Sequence, residues 1–153
     1  MDRLRADVLA FVTGMIPVPG EAPDDWWANS GFGAAVAAQT ALDGGLTGHD
    51  DSIVSFYHDV PGPIADEALR RERNHPPRAL PDPWPLPSLP DVPTRFVLCT
   101  EDRFFPAAFV RNLVAERLPG VVPDEIAASH CVALSRPEEL ADLPHGYAVV
   151  AAA

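Results

Sequence analysis

Three short apolar runs have the length and composition of buried strands. They span Asp7–Thr13, Arg95–Thr100 and, more weakly, Val121–Ala127. Runs of this length without regular polar alternation are typical of strands that are buried on both faces of a parallel sheet. The pattern therefore predicts an α/β fold with about three parallel strands, the first of them far from the other two in sequence.

A helix is predicted between the second and third strands. The apolar residues from Phe109 to Leu118 recur at helical spacing, and Pro106 suits the first turn because no N–H is needed there. Downstream of the third strand, Ser135 and Glu138 form a capping-box pattern that predicts one more helix. The C-terminal part of the chain is thus predicted as strand, helix, strand and helix.

The middle of the chain has helix signals and no strand signal. Four helical segments are predicted there, at Asp24–Trp27, Ala34–Leu42, Asp51–His58 and Pro63–Arg71. Proline is so frequent from Pro76 to Pro93 that this segment is predicted to be an extended connector. We therefore divide the chain into a strand region 1–20, a helical insertion 21–75, a proline-rich connector 76–93 and a C-terminal unit 94–153.

Two side chains with catalytic potential follow the last two strands. Asp102 comes just after the second strand, and His130 comes just after the third, 28 positions later. A right-handed crossover makes these strands parallel, so their carboxyl ends lie at the edge where open α/β sheets bind ligands. An acid beside a histidine is typical of a charge-oriented nucleophile system. From the residues alone, a purely structural hydrogen bond between them is the alternative.

The segments around these two residues carry a family resemblance. CTEDRFFP contains Asp102 and SHCVALSRPEEL contains His130, and both resemble the last third of an α/β-hydrolase. The similar branch holds small esterases, plant-type methylesterases and hydroxynitrile lyases, whose catalytic residues come in the order Ser, Asp or Glu, then His. The resemblance runs from about Asp7 to about Leu143. It implies that Asp102 is the acid, that His130 is the base, and that the chain forms the C-terminal part of a hydrolase sheet.

The nucleophile of that family is not found in this sequence. It would stand in a G-x-S-x-G motif on a tight strand-to-helix turn, and none of the six serines has this setting. Ser30 comes nearest, but Ala28 stands where the first glycine would be. We therefore expect the C-terminal part of a carboxylic-ester hydrolase that is inactive alone, with the serine and the oxyanion-hole loop lying upstream of Met1.

By the same resemblance, the helical insertion is a cap over the active-site edge. Its aromatic residues are then candidates for lining a substrate pocket: Trp26, Trp27, Phe32, Phe56 and Tyr57. Ordinary core packing between the cap helices is the alternative for each of them. Three strands would also leave a sheet edge and an apolar face exposed, so we expect self-association or a complementing N-terminal half.

Charge and hydropathy narrow the range of partners. The net charge is −11, from 22 acidic and 11 basic residues, which disfavours binding to nucleic-acid phosphates or to an anionic membrane surface. No run approaches the roughly 18 apolar residues of a membrane span, and no signal peptide is visible. These features predict a cytoplasmic protein, and the family resemblance implies a small ester-like molecule as its partner.

The two cysteines do not form a disulfide framework or a metal-binding array. Cys99 lies within a predicted strand and is expected to be a small core residue. Cys131 stands beside His130, and a Cys–His nucleophile pair is the alternative to an inert thiol there. Adjacent side chains rarely point the right way for such a pair, which argues against it.

The remaining histidines give no clear site. His49 and His58 stand among Asp50, Asp51 and Asp59, at a spacing that matches no metal-binding pattern and indicates solvated polar loops. His75, directly before Pro76, is expected to belong to a linker, and His145 is expected at the surface. No cofactor and no metal are predicted.

Three functional hypotheses remain. The first is a serine hydrolase whose attacking half lies outside this sequence. The second is a non-catalytic remnant that acts as an interaction domain, which stable folding without esterase activity would favour. The third is a hydroxynitrile-lyase-like enzyme of the same fold, because the fold alone does not determine the chemistry.

Overall fold

The computed structural model describes residues 6–73 and 81–151, with side chains as far as Tyr147. The elements in chain order are β1 (Leu9–Val12), α1 (Pro23–Asn29), α2 (Phe32–Asp43), α3 (Ser52–Phe56), α4 (Gly62–Arg71), β2 (Thr94–Cys99), α5 (Ala107–Arg117), β3 (Asp124–Ile126), α6 (Val132–Ser135) and α7 (Pro137–Ala151). Every predicted strand and every predicted helix in the described ranges has a counterpart among these elements.

The three strands form one parallel sheet in the order β1-β2-β3. Val12 of β1 is opposite Val97 of β2, and Cys99 of β2 is opposite Ile126 of β3. The predicted α/β architecture with three parallel strands is therefore confirmed. β2 lies at the centre, so the chain returns to the neighbour of β1 only after α1–α4 and the connector.

The central strand is buried on both faces because its side chains alternate between two cores. Phe96 and Leu98 pack on one side with Ile16, Trp26 and the inner face of α5. On the opposite side, a smaller cluster packs beneath α6 and α7 and consists of Val97, Cys99, Ile126, Ala128 and Val132. This arrangement explains why β2 reads as a continuous apolar run, and it confirms Cys99 as a core residue.

The third strand is shorter than the sequence indicated. The predicted run began at Val121, whereas β3 begins at Asp124. Pro123 directly precedes it and has no N–H to donate to a ladder, and Val122 is exposed. The apolar run therefore enters the sheet only after the proline.

The predicted capping box at Ser135 is wrong. Ser135 is the last residue of the short helix α6, and α7 starts two positions later at Pro137. The sequence predicted one helix here where the structure has two. Arg136, which separates α6 from α7, has a good helix propensity and therefore gives no local signal of a break. Pro137 instead supplies the preset backbone angle of a first helical turn.

The helical part lies between β1 and β2 in the chain, as predicted. Helix α2 ends at Asp43 and is followed by Gly44, whose φ of 71° is accessible to glycine without strain. His75 and the first part of the connector, residues 76–80, lie outside the described residues. From residue 81 to 93 the chain has no helix or strand. Trp84 nevertheless exchanges backbone hydrogen bonds with Gly20 and Glu21, at 3.2 and 2.9 Å, which anchors the connector beside the start of α1.

A buried ion pair joins α5 to the segment after β1. Arg117 donates to both carboxylate oxygens of Glu21, at 2.6 and 3.1 Å, and the side chains are only 5% and 3% exposed. Arg117 also donates to the Ile16 carbonyl at 2.7 Å, and Asn29 donates to Glu21 at 3.1 Å. These contacts cross the chain from residue 117 back to residue 16 and close one core around Trp26.

In the described part of the chain, no helix combines the length and the apolar character that crossing a bilayer would require.

Candidate active site

The candidate acid is fixed in the turn that leaves β2. Asp102 follows Cys99 by three residues, and its side chain is only 2% exposed. One carboxylate oxygen, Oδ1, accepts hydrogen bonds from the backbone N–H groups of Phe104 at 2.8 Å and Phe105 at 2.9 Å. The turn before α5 therefore holds the carboxylate in one orientation and satisfies one of its oxygens.

The candidate base meets the other oxygen of the same carboxylate. His130 follows β3, and its Nδ1 lies 2.8 Å from Asp102 Oδ2, with the imidazole 21% exposed. Because an ionised carboxylate only accepts, Nδ1 carries the proton and donates. In the residues that the structure describes, Nε2 has no hydrogen-bond partner. The second ring nitrogen is thus left available on the exposed side of the pair.

The two strand ends are held together by the backbone as well. Thr100 donates to the Ile126 carbonyl at 2.9 Å, and Glu101 donates to the Ala128 carbonyl at 3.2 Å. These bonds extend the pairing of β2 and β3 as far as the turns that carry Asp102 and His130. The prediction that the two residues would be neighbours at one edge of the sheet is therefore met by the geometry.

Three aromatic rings surround the imidazole with their planes steeply inclined to it. The ring centroids of Phe56, Phe104 and Phe105 lie 5.4, 5.1 and 5.4 Å from that of His130, at interplanar angles of 71° to 76°. Edge-to-face contacts of this kind fix the ring plane and exclude water from one side of it. Phe56 was a predicted pocket residue, whereas Phe104 and Phe105 were missed. Their amides cap Asp102, and this adjacency was the available signal that their rings lie near the base.

The other predicted pocket residues lie farther from the base. Trp27 and Phe32 are half-buried and pack against Phe104, with ring centroids 6.1 and 5.6 Å away, so they stand one layer behind it. Trp26 is buried in the core, where its indole N–H donates to the Ile16 carbonyl at 3.2 Å. Tyr57 is half-buried and lies near the Cys131 thiol. The structure thus brings only Phe56 of the five next to His130.

The Cys131 thiol lies near the Tyr57 hydroxyl, and each group affects the pKa of the other. Burial raises the pKa of Cys131, and the nearby carboxylate charges raise it further, although a hydrogen bond from the Tyr57 hydroxyl lowers it in part. Burial also raises the pKa of Tyr57, and the Cys131 sulfur adds to that effect. A catalytic thiol needs a lowered pKa, because the thiolate is the nucleophile. The electrostatics therefore oppose a Cys–His nucleophile pair.

This opposition can be measured by alkylation. Because its pKa is raised, Cys131 in the native chain is expected to react with iodoacetamide at pH 8 several-fold more slowly than glutathione. Burial raises the pKa of Cys99 to about 12, so Cys99 should stay unmodified. In urea both thiols should react at the same rate. In Cys131→Ser only Cys99 can be labelled, so this variant assigns each signal to its cysteine. If native Cys131 reacted faster than glutathione, the result would support the hypothesis of a Cys131–His130 nucleophile pair.

The polar segment before α4 is less solvated than its sequence indicated. His49 is exposed, and its Nδ1 accepts the N–H of Asp51 at 3.0 Å, as expected for a surface loop. Asp59 is different, because its side chain is only 12% exposed and accepts the N–H of Ser129 at 3.1 Å. The solvated-loop interpretation is therefore wrong for Asp59. Nothing in the local sequence signals its partner, which lies 70 residues away.

His58 and His145 lie outside the group of aromatic rings, Phe56, Phe104 and Phe105, that surrounds the His130 imidazole. The His58 Nε2 lies 2.9 Å from the Glu101 carbonyl, which links the loop after α3 to the turn that carries Asp102. His145 is exposed on α7, as predicted. Across residues 6–73 and 81–147, no three His, Cys, Asp or Glu side chains form a group that could hold a metal ion.

Comparison with known proteins gives one family and a set of solved structures. The profile of the Alpha/beta hydrolase family matches residues 2–143. No curated protein matches the sequence at a significant level.

Among the solved structures, polyneuridine aldehyde esterase superposes with a TM-score of 0.69 at 17% identity, covering 93% of this chain and 62% of its own. A pyrethroid hydrolase from Sphingobium faniae JZ-2 gives 0.59 at 20% identity, covering 93% and 60%. The pyrethroid hydrolase PytH gives 0.60 at 18% identity, covering 95% and 62%. At these identities the likeness shows a shared fold, and this chain spans about three-fifths of each neighbour's length.

Proposed function

The chain belongs to the alpha/beta hydrolase family, and we propose that it supplies the acid and the base of a carboxylic-ester hydrolase. Asp102 is the acid and His130 is the general base in this proposal. The observation that carries it is the 2.8 Å contact between Asp102 Oδ2 and His130 Nδ1, made across the carboxyl ends of two adjacent parallel strands. A buried carboxylate that accepts two backbone N–H groups and faces a mostly buried imidazole is suited to orienting a base.

The two residues divide the work of proton transfer. The Nε2 of His130 would take the proton of a serine hydroxyl as that oxygen attacks the ester carbonyl, and would return it to the leaving alcohol. Asp102 would keep Nδ1 protonated, so that Nε2 is the basic nitrogen, and would stabilise the imidazolium when it forms. Both roles use the geometry of the pair as it stands.

The attacking serine is proposed to come from a segment that this sequence does not contain. The sequence has no G-x-S-x-G motif, and the serine next to His130 in the chain already has a partner for its hydroxyl. Ser129 Oγ donates to the Phe56 carbonyl at 3.0 Å. The same outside segment would provide the backbone N–H groups of the oxyanion hole, which supply several kcal/mol of transition-state stabilisation. Alone, the chain would bind no oxyanion and form no acyl-enzyme.

The helical insertion is proposed to act as a cap that shapes the substrate pocket. Helix α3 ends at Phe56, whose ring lies against both His130 and Phe104. With Trp27 and Phe32 behind them, these rings offer an apolar wall beside the base. Such a wall favours small apolar esters over charged ones. The neighbours' names, an aldehyde esterase and pyrethroid hydrolases, support the ester class without specifying the substrate.

Labelling with a fluorophosphonate probe tests this proposal directly. The 153-residue chain is incubated with the probe alone, and also after joining to the upstream segment that carries the serine, with the modified residue located by mass spectrometry. We expect no label on the chain alone and one labelled serine in the joined protein, together with hydrolysis of p-nitrophenyl esters. Both should be lost in His130→Ala.

Three results would contradict the proposal, each in its own way. Labelling of a serine in the isolated chain would show that the nucleophile lies within it. A joined protein that folds but neither labels nor hydrolyses esters would indicate a non-catalytic remnant. Cleavage of cyanohydrins in place of esters would indicate the lyase chemistry.

A further inference from the structure

We infer that Asp59, a carboxylate on the loop between α3 and α4, is a positioning residue for His130. This inference rests on the proposed function, because it assigns Asp59 to the base of that site. The residue does not touch the imidazole. It acts on the backbone directly before it, through the Ser129 N–H at 3.1 Å.

The loop that carries His130 is held on both sides of the histidine by one short segment. Ser129, directly before it, donates its N–H to Asp59 and its hydroxyl to the Phe56 carbonyl at 3.0 Å. Cys131, directly after it, donates its N–H to the same carbonyl at 3.3 Å. Residues 56–59 therefore form a clamp around the base, with Phe56 and Asp59 at its two contact points.

The opposite side of the loop is held more loosely. Thr13, at the end of β1, donates its hydroxyl to the His130 carbonyl at 3.4 Å, which is long for a hydroxyl donor. The backbone bonds from the residues after β2 reach only as far as Ala128, whose carbonyl accepts from Glu101 at 3.2 Å, and in the described residues no strand pairs with residues 129–131. The position of the His130 backbone consequently depends on the clamp, and Asp59 is its one charged member.

The electrostatics of Asp59 suit a lasting contact of this kind. Burial raises the pKa of its carboxyl, but hydrogen bonds from Ser129 and the charge of Arg136 outweigh burial and hold the pKa below its usual range. Asp59 is therefore ionised at neutral pH, and a charged acceptor roughly doubles the strength of a bond from a backbone N–H. Arg136 lies 3.5 Å from Oδ2 and is 39% exposed, so it contributes less than the amide does.

Small displacements of the base are costly in catalysis. The Asp102–His130 bond joins two turns that leave different strands, and a shift of about 1 Å in such a group can cost about a hundredfold in rate. Without an acceptor at position 59, the Ser129 N–H would lose its partner inside the protein. The loop would then move to satisfy that N–H with water, and the imidazole would move with it.

Proton NMR of His130 provides a test that needs no nucleophile. The measured quantity is the exchange rate of the His130 Nδ1–H with water in the isolated chain, with the Trp26 Nε1–H as an internal reference for global opening. The variants are Asp59→Ala, Asp59→Asn, which keeps an acceptor oxygen, and Asp66→Ala, which removes the same charge from an exposed site on α4.

We expect exchange of the His130 Nδ1–H to be about tenfold faster in Asp59→Ala, the effect of losing one hydrogen bond to a charged acceptor. Asp59→Asn should show a smaller increase, and Asp66→Ala should show none. The Trp26 reference should stay constant throughout. An unchanged His130 rate in Asp59→Ala would overturn the inference, as would an equal increase at Trp26.

Two further outcomes complete the test. If Asp59→Ala does not fold, Asp59→Asn decides, and a rate equal to the wild type would overturn the inference. If the wild type shows no protected Nδ1–H that depends on Asp102, the Asp102–His130 pair itself fails, and the proposed function fails with it. If the wild type shows a protected His130 Nδ1–H whose exchange rate does not change in the Asp59 variants, only the inference is overturned.

Discussion

Asp102→Asn is expected to lower kcat by about ten-thousandfold in the proposed ester hydrolase, tested with the serine-bearing segment that the proposal requires, with little change in KM. The amide has one acceptor oxygen, and the N–H groups of Phe104 and Phe105 will hold that oxygen as they hold Oδ1 now. The amide NH2 then faces His130 Nδ1, which must become the acceptor. The proton moves to Nε2, and the nitrogen that should be basic is no longer so.

This result separates orientation from folding. Asp102→Asn preserves the size of the side chain and both capping bonds, so its thermal unfolding should remain close to that of the wild type. Asp124→Asn is a matched control, because Asp124 also lies in the C-terminal unit but accepts from Tyr147, away from His130. The control should retain activity. A kcat within tenfold of wild type in Asp102→Asn would exclude Asp102 as the orienting acid.

The second large effect concerns stability. Glu21→Gln is expected to lower the free energy of unfolding by roughly 3–5 kcal/mol, because it leaves the buried Arg117 guanidinium without a counter-charge. Urea unfolding followed by tryptophan fluorescence measures the loss. Glu125→Gln is the matched control, since Glu125 also makes two contacts to an arginine, Arg111, but both side chains are 46% and 39% exposed. Its cost should stay below about 1 kcal/mol.

The same pair predicts a dependence on pH. Burial raises the pKa of Glu21, but the hydrogen bonds from Arg117 and Asn29 and the charge of Arg117 outweigh it, so the pKa lies below its ordinary value. The stabilisation is therefore complete above the unfolded pKa near 4.5 and is lost as the pH falls through the folded value. The difference between wild type and Glu21→Gln should shrink in that acidic range. A difference that stays constant down to pH 2 would contradict the assignment.

Replacing both partners distinguishes the ion pair from its surroundings. Glu21→Leu combined with Arg117→Met removes both charges together, and it should cost less than the sum of the single replacements. Additive costs would mean that the two side chains act independently. The partners of Arg117 other than Glu21, such as the Ile16 carbonyl, would then carry its contribution.

Much of the fold could be predicted from the sequence because its signals are local. The apolar run of β2, the helical spacing of α5 and the proline and glycine positions each act within a few residues. The rule that parallel crossovers bring strand ends together then extended these signals to the proximity of Asp102 and His130. The late start of β3 could also have been predicted, since Pro123 has no backbone N–H to donate to a neighbouring strand.

What could not be predicted depends on where side chains point after packing. Aromatic identity did not separate Trp26, which fills the core, from Phe56, which contacts the base. Asp59 read as a surface aspartate because its partner is a backbone N–H, which leaves no trace in the sequence. Phe104 and Phe105 were missed because their direction follows from the turn that caps Asp102.

The clamp around His130 also bears on how the chain folds. Its contacts to Ser129 span 70 and 73 positions in sequence, and the bond from Thr13 to the His130 carbonyl spans 117, whereas Asp102 and His130 are only 28 positions apart. Closing such long loops is entropically costly, and contacts of this range form late in folding. The unit from β2 to β3 can therefore assemble early and bring acid and base near each other. We expect His130 to reach its final position only once β1 and the helical insertion have docked, so its side chain should not be correctly placed in a partly folded chain.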